Sequence, residues 1–139
     1  MIYGIGHDVV EIPRIEALAG GPLGERFLKR VLTEAERASA AGRNRLAEYT
    51  AGRFAVKEAV SKAFGCGIGR TLSFQDIQIT PDAAGKPWAE LSEGAWERLT
   101  LSGSPQHYKI HVSITHERQL ASAFVIVEYI PSESVSDER

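Results

Sequence analysis

Gly52-Arg-Phe-Ala-Val-Lys-Glu-Ala-Val-Ser-Lys-Ala-Phe-Gly65 decides how the rest of the chain is read. Phe54, Ala55, Ala59, Val60 and Ala63 recur at helical spacing and give one apolar face. Phe54, Glu58 and Lys62 are successive i, i+4 neighbours and form a column. Glu58 precedes Lys62 in the order that favours a helical ion pair. Gly65 suits the left-handed residue just past a helix end. On a solvated face such a pair contributes about 0.3–0.5 kcal/mol, and the column would be ordinary surface. The N-terminal stretch Gly4-Ile-Gly6-His-Asp8-Val-Val-Glu-Ile-Pro-Arg14 gives it another meaning. One aspartate there interrupts an apolar strand, where a buried carboxylate needs a partner or a metal. The plainer reading of Asp8 is a strand-end cap of a turn. Two carboxylates from separate elements, with lysine and arginine nearby, are what a magnesium-bound diphosphate requires.

Outward from this core, Met1–Val10 reads as a buried strand of β-branched and small residues. Pro13 opens a short helix to Ala19, and Gly20-Gly21-Pro22 breaks it. Leu23–Leu32 is a second short helix. Thr33-Glu-Ala-Glu36 is a capping box whose helix runs to about Ala41. Asn44 is the expected cap of the long helix, which continues through Gly52 to Phe64. Gly52 lowers helix propensity by about 1 kcal/mol against alanine, or it permits close packing. Gly65-Cys-Gly67-Ile-Gly69 is a helix stop and turn, or a phosphate cradle. It lacks the preceding strand of a dinucleotide fingerprint.

Phe74–Thr80 alternates as a half-exposed strand. Asp82–Pro87 turns, and Trp88–Leu91 returns as its partner. Ser92 caps a helix to about Leu101, and Ser102–Pro105 is a loop. Tyr108–Thr115 and Leu120–Tyr129 are strands joined by a polar turn at Glu117-Arg-Gln119. Helices and strands segregate, so the expected fold is α+β: a single domain over 1–130, with the long helix on a mostly antiparallel sheet. The Ser- and acid-rich tail 131–139 is expected to be disordered.

The chain has 139 residues, 43% of them hydrophobic, and a net charge of −2. That is ordinary for a globular domain and leaves no global nucleic-acid footprint. The charge is uneven. Residues 43–70 hold six basic side chains against two acidic ones, and 24–30 hold three against one. Local basic surface on a mildly acidic chain points to an anionic ligand or acidic partner. The single cysteine, Cys66, excludes an internal disulfide; it is a small loop residue or a reactive thiol. No secretory signal or run of about 18 apolar residues is seen, so a cytoplasmic protein is expected, with no membrane or nucleic-acid partner.

A second polar cluster is Ile110-His111-Val-Ser113-Ile-Thr115-His116. In a strand, His111 and Ser113 share one face and His116 takes the other. The spacing fits no usual zinc ligand set. A Ser113–His116 nucleophile pair is conceivable but lacks an elbow motif. The same groups can hold phosphate oxygens.

Residues Gly4–Ile15, Arg53–Gly65, Gly85-Lys86-Pro87 and His111–His116, in this order, resemble the holo-acyl-carrier-protein synthases. These are the small bacterial type of 4′-phosphopantetheinyl transferase, and the similarity runs from about residue 1 to 130. The resemblance implies transfer of phosphopantetheine from coenzyme A to a serine of an apo-acyl carrier protein, with release of 3′,5′-ADP. It implies that Asp8 and Glu58 hold Mg²⁺ on the pyrophosphate. Lys62 would stabilise developing charge, and Glu58 or a bound water would take the serine proton, with Glu58 the first candidate. Arg53 and Arg45 would meet the nucleotide 3′-phosphate, with Ser113, His116 and Gly85-Lys86-Pro87 near the coenzyme. Arg14, Arg26, Lys29 and Arg30 would dock the acidic carrier, although Gly20-Gly21-Pro22 departs from the family pattern there. A homotrimer with sites between subunits is implied. The alternatives are a module that binds coenzyme A or carrier without chemistry, and a Ser113–His116 hydrolase.

Overall fold

Backbone carbonyls of one helix set how closely the first strand can lie, and the rest of the fold follows. In the computed structural model, residues 1–131 are described. They run β1 (Ile2–Glu11), α1 (Ile12–Gly20), α2 (Gly24–Val31), α3 (Glu34–Ala40), α4 (Leu46–Ala63), β2 (Ile77–Pro81), β3 (Pro87–Leu91), α5 (Glu93–Leu99), β4 (Tyr108–His116) and β5 (Leu120–Tyr129). The acidic tail beyond Pro131 lies outside the described residues. One antiparallel sheet has the order β1-β5-β4, and β2-β3 form a separate hairpin. The fold is α+β, as the segregation of elements predicted.

Helix α4 forms the centre. Ala51, Ala55, Val56, Ala59 and Val60 are fully buried in one core with Ala121, Ala123, Val125 and Val127 of β5. Small side chains on both surfaces let sheet and helix approach. On β1 the approach is closer still: a methyl at Gly4 or Gly6 would collide with the carbonyl oxygens of Ala63 and Ala59. Gly52 is different, since a Cβ there would make only ordinary contact with Ile114 at 3.7 Å. Close packing does not require that glycine.

Three local expectations need correction. The long helix begins at Leu46, with Arg45 rather than Asn44 at its N-cap and no side-chain cap bond. An Arg45–Glu48 pair at 3.3 Å lies there instead, putting an acid in the first turn where the helix dipole favours it. Phe74–Asp76 is a 3₁₀ turn, and the strand starts only at Ile77. Asp76 accepts from the Ser73 N–H and hydroxyl, both at 2.9 Å, and this local bonding competes with the ladder. The first strand is buried on one face only. Its other face leaves Ile5 53% and Val9 52% exposed, beside Phe124 at 45% and Leu120 at 40% on β5.

Lys57, which the sequence places in a basic segment, does not contribute to surface charge. Its side chain is fully buried, and Nζ donates to Glu36 Oε1 at 2.6 Å, Val31 O at 2.7 Å and Phe74 O at 3.0 Å. Glu36 also accepts from the Thr33 and Ile79 N–H groups at 2.8 and 2.7 Å. The capping-box acid of α3 thus ties α2, β2 and the Phe74 turn to α4. Burial pushes the Lys57 pKa down, while Glu36 pulls it back up. Lys57→Met leaves Glu36 charged and two carbonyls without their donor. It is expected to cost about 3–5 kcal/mol, read as a lowered urea midpoint at pH 7.

Candidate active site

Alternation along β1 turns Gly4, Gly6 and Asp8 toward α4. The two glycines let the strand lie against the helix, and Asp8 meets the column predicted there. Lys62 Nζ lies 3.0 Å from Asp8 Oδ1 and 3.2 Å from the His7 carbonyl. Glu58 sits one turn before Lys62. Burial raises its carboxyl above the ordinary 4.5, and the Asp8 charge adds to the rise; Lys62 and Arg30 oppose it. Asp8, far from them in sequence, therefore shares one electrostatic site with Glu58 and Lys62.

These groups fit a magnesium ion by their chemistry. Both acids are hard oxygen donors, and Mg²⁺ usually takes one or two carboxylates and fills its shell with phosphate and water. Like charges held close enough to raise Glu58 are also what a divalent cation would relieve.

A second cluster lines a cavity of about 380 Å³ at the other end of α4. Arg45, Arg53, Gly85, Pro87 and His116 are on its wall, joined by Arg43, Glu48 and Tyr49. Arg53 lies over the Tyr49 ring at 4.1 Å and Arg43 over the same ring at 4.6 Å. The Tyr49 hydroxyl donates to the Glu36 carbonyl at 3.2 Å. Arg53 Nε is buried without a hydrogen-bond partner. Gly85 has φ 87°, the left-handed turn that brings the β2–β3 hairpin to this wall. Lys86 instead stacks over Trp88 at 5.2 Å.

Ser113 and His116 are not brought together. They fall on opposite faces of β4, with His116 in the cavity and Ser113 paired with Phe124 on the bare sheet face. Arg14 on α1 and Arg26, Lys29 and Arg30 on α2 are all exposed. Glu48, Tyr49 and Arg43 escaped the sequence reading. The i, i+4 spacing of Arg45, Tyr49 and Arg53 was the available signal.

The 4′-phosphopantetheinyl transferase superfamily model matches residues 4–125. The chain belongs to that superfamily. It is 45% identical over 137 residues to a holo-[acyl-carrier-protein] synthase of Bacillus subtilis (strain 168), covering 95% of this chain and 100% of the relative. Among solved structures, the Bacillus anthracis str. Ames synthase in complex with CoA (3′,5′-ADP) superposes with a TM-score of 0.77 at 41% identity. That match covers 93% of this chain and 98% of the other. The Neisseria meningitidis synthase gives a TM-score of 0.82 at 37% identity, covering 92% and 99%. This member of the superfamily is thus a transferase of the holo-acyl-carrier-protein synthase type. No helix among its described residues is long and apolar enough to cross a membrane.

The electrostatic coupling has a direct readout in side-chain carboxyl NMR. Glu58 should titrate above 4.5. Asp8→Asn should lower that value by removing a like charge, and Lys62→Met should raise it by removing a cation. A Glu58 signal that both substitutions leave in place would separate it from the other two groups.

Proposed function

We propose that this enzyme transfers 4′-phosphopantetheine from coenzyme A to a serine of an apo-acyl carrier protein in the cytoplasm, using Mg²⁺ and releasing 3′,5′-ADP. The observation that carries this reading is Asp8 brought beside Glu58 and Lys62 by the Gly4 and Gly6 approach. Mg²⁺ held by Asp8 and Glu58 would neutralise charge on the coenzyme pyrophosphate. The serine oxygen forms a bond to phosphorus as the bond from phosphorus to the 3′,5′-ADP oxygen breaks. Glu58 is the first candidate to take the serine proton, with a bound water as the alternative. Lys62, anchored by Asp8 and the His7 carbonyl, offers its charge to the leaving oxygen.

The cavity is the proposed seat of the nucleotide, with Arg53 and Arg45 meeting its 3′-phosphate. Gly85 and Pro87 form the hairpin wall, Lys86 sits behind it, and His116 adds a donor. Arg14, Arg26, Lys29 and Arg30 form the proposed docking face for the acidic carrier. Arg30 is the best supported of these, because its charge reaches Glu58.

A homotrimer with sites between subunits accords with two features. Arg53 and Glu58 are five residues apart on α4, so their directions differ by about 140° and one subunit's cavity faces away from its own acids. The bare sheet face with Ile5, Val9, Leu120 and Phe124 is apolar and waits for a cover. Ser113, on that face, would then stand near the partner subunit.

Mass spectrometry tests the chemistry. Apo-carrier incubated with enzyme, coenzyme A and Mg²⁺ should gain the phosphopantetheine mass. EDTA, Asp8→Ala or Glu58→Ala should each prevent that gain while far-UV circular dichroism stays native. No gain with the unaltered enzyme would leave only a binding module. Light scattering tests the assembly: the enzyme should weigh three chains, and Phe124→Arg should lower that mass.

A further inference from the structure

Among the described residues lining the cavity, Glu48 is the single acid, set against three arginines and a histidine. An acid in an anion-binding pocket weakens its pull unless it serves another purpose. Glu48 Oε1 lies 2.6 Å from His116 Nδ1, and its Oε2 lies 3.3 Å from Arg45 NH1. It therefore joins the last residue of β4 to the residue preceding α4. A carboxylate only accepts, so Nδ1 carries the proton and the imidazole is fixed with Nε2 on the opposite side of the ring. Arg45 is 82% exposed and would otherwise sample many rotamers; one bond to Glu48 restricts it. Arg43 and Arg53 are oriented by the Tyr49 ring, which binds without neutralising them. Each cation of the cavity is thus aimed before any ligand arrives.

We infer that Glu48 is a positioning residue that sets specificity: by holding His116 and Arg45 together it lets the cavity distinguish a nucleotide bearing a 3′-phosphate monoester from one without it. A monoester dianion accepts from several donors at once, and pre-aimed donors lose less entropy on binding it. The inference rests on the proposed seating of the coenzyme nucleotide in this cavity. It goes beyond that seating by assigning the discrimination to an acid that touches no ligand. A purely electrostatic role has the opposite sign, because removing a negative charge would then tighten coenzyme A binding.

The experiment compares coenzyme A with 3′-dephospho-coenzyme A in the transfer reaction, for the unaltered enzyme, Glu48→Gln, Glu48→Ala and Arg53→Ala. Calorimetry of 3′,5′-ADP against 5′-AMP reads the same difference without turnover. Both Glu48 variants should raise KM for coenzyme A about tenfold, equivalent to about 1.4 kcal/mol, and leave that for the dephospho form within about twofold. Calorimetry should show 3′,5′-ADP weakened and 5′-AMP unmoved. Equal losses on both ligands, no loss, or tighter coenzyme A binding would overturn the role of Glu48. If Arg53→Ala keeps the full preference for coenzyme A, the nucleotide seating itself fails, and that result is separate from a failure confined to the Glu48 variants.

Discussion

The distance between β1 and α4 controls this structure. Glycine at positions 4 and 6 lets strand backbone rest on the carbonyls of Ala59 and Ala63, where any side chain would collide. Helix and sheet cores elsewhere are separated by interleaved side chains. Here the separation shrinks at one edge, and Asp8, two residues beyond Gly6, reaches Lys62. With a wider gap, the same acid would have been an unpaired charge in an apolar strand.

The site then sets opposite demands side by side. Burial and the Asp8 charge raise Glu58 while Lys62, paired with Asp8 at 3.0 Å, lowers it. Stability for this arrangement comes from elsewhere: the alanine and valine face of α4 against β5, and the buried Lys57–Glu36 network. That division is common where a reactive centre is built on a rigid scaffold. The arginine cavity follows the same logic, with Tyr49 orienting cations that it cannot neutralise.

Local patterns were legible in the sequence. The 3.6-residue spacing found α4, the alternation found the sheet, and Thr33–Glu36 and Ser92 marked real helix starts. Period-two reasoning alone separated His116 from His111 and Ser113, and the structure keeps them on opposite faces. Apart from Asp8 meeting the Glu58–Lys62 column, pairings that close across the chain were not legible. Lys57 and Glu36 are 21 residues apart, and a lysine in a basic run reads as surface until its partner is known. Glu48 likewise looks like one acid among many until β4 returns His116 to it. The late start of β2 depended on Asp76 bonding its own turn, a choice that apolar alternation cannot register.

Lys57 and Glu58 are neighbours with opposite fates, one sealed and the other half-buried. A helix held only by alanine and valine can roll about its axis, because such contacts are nearly interchangeable. Lys57 removes that freedom: three acceptors from three segments grip one ammonium and act like a key in a slot. The next side chain, about 100° around the helix, inherits its bearing from that lock. The aim of Glu58 is thus fixed from behind, by a residue that never meets solvent.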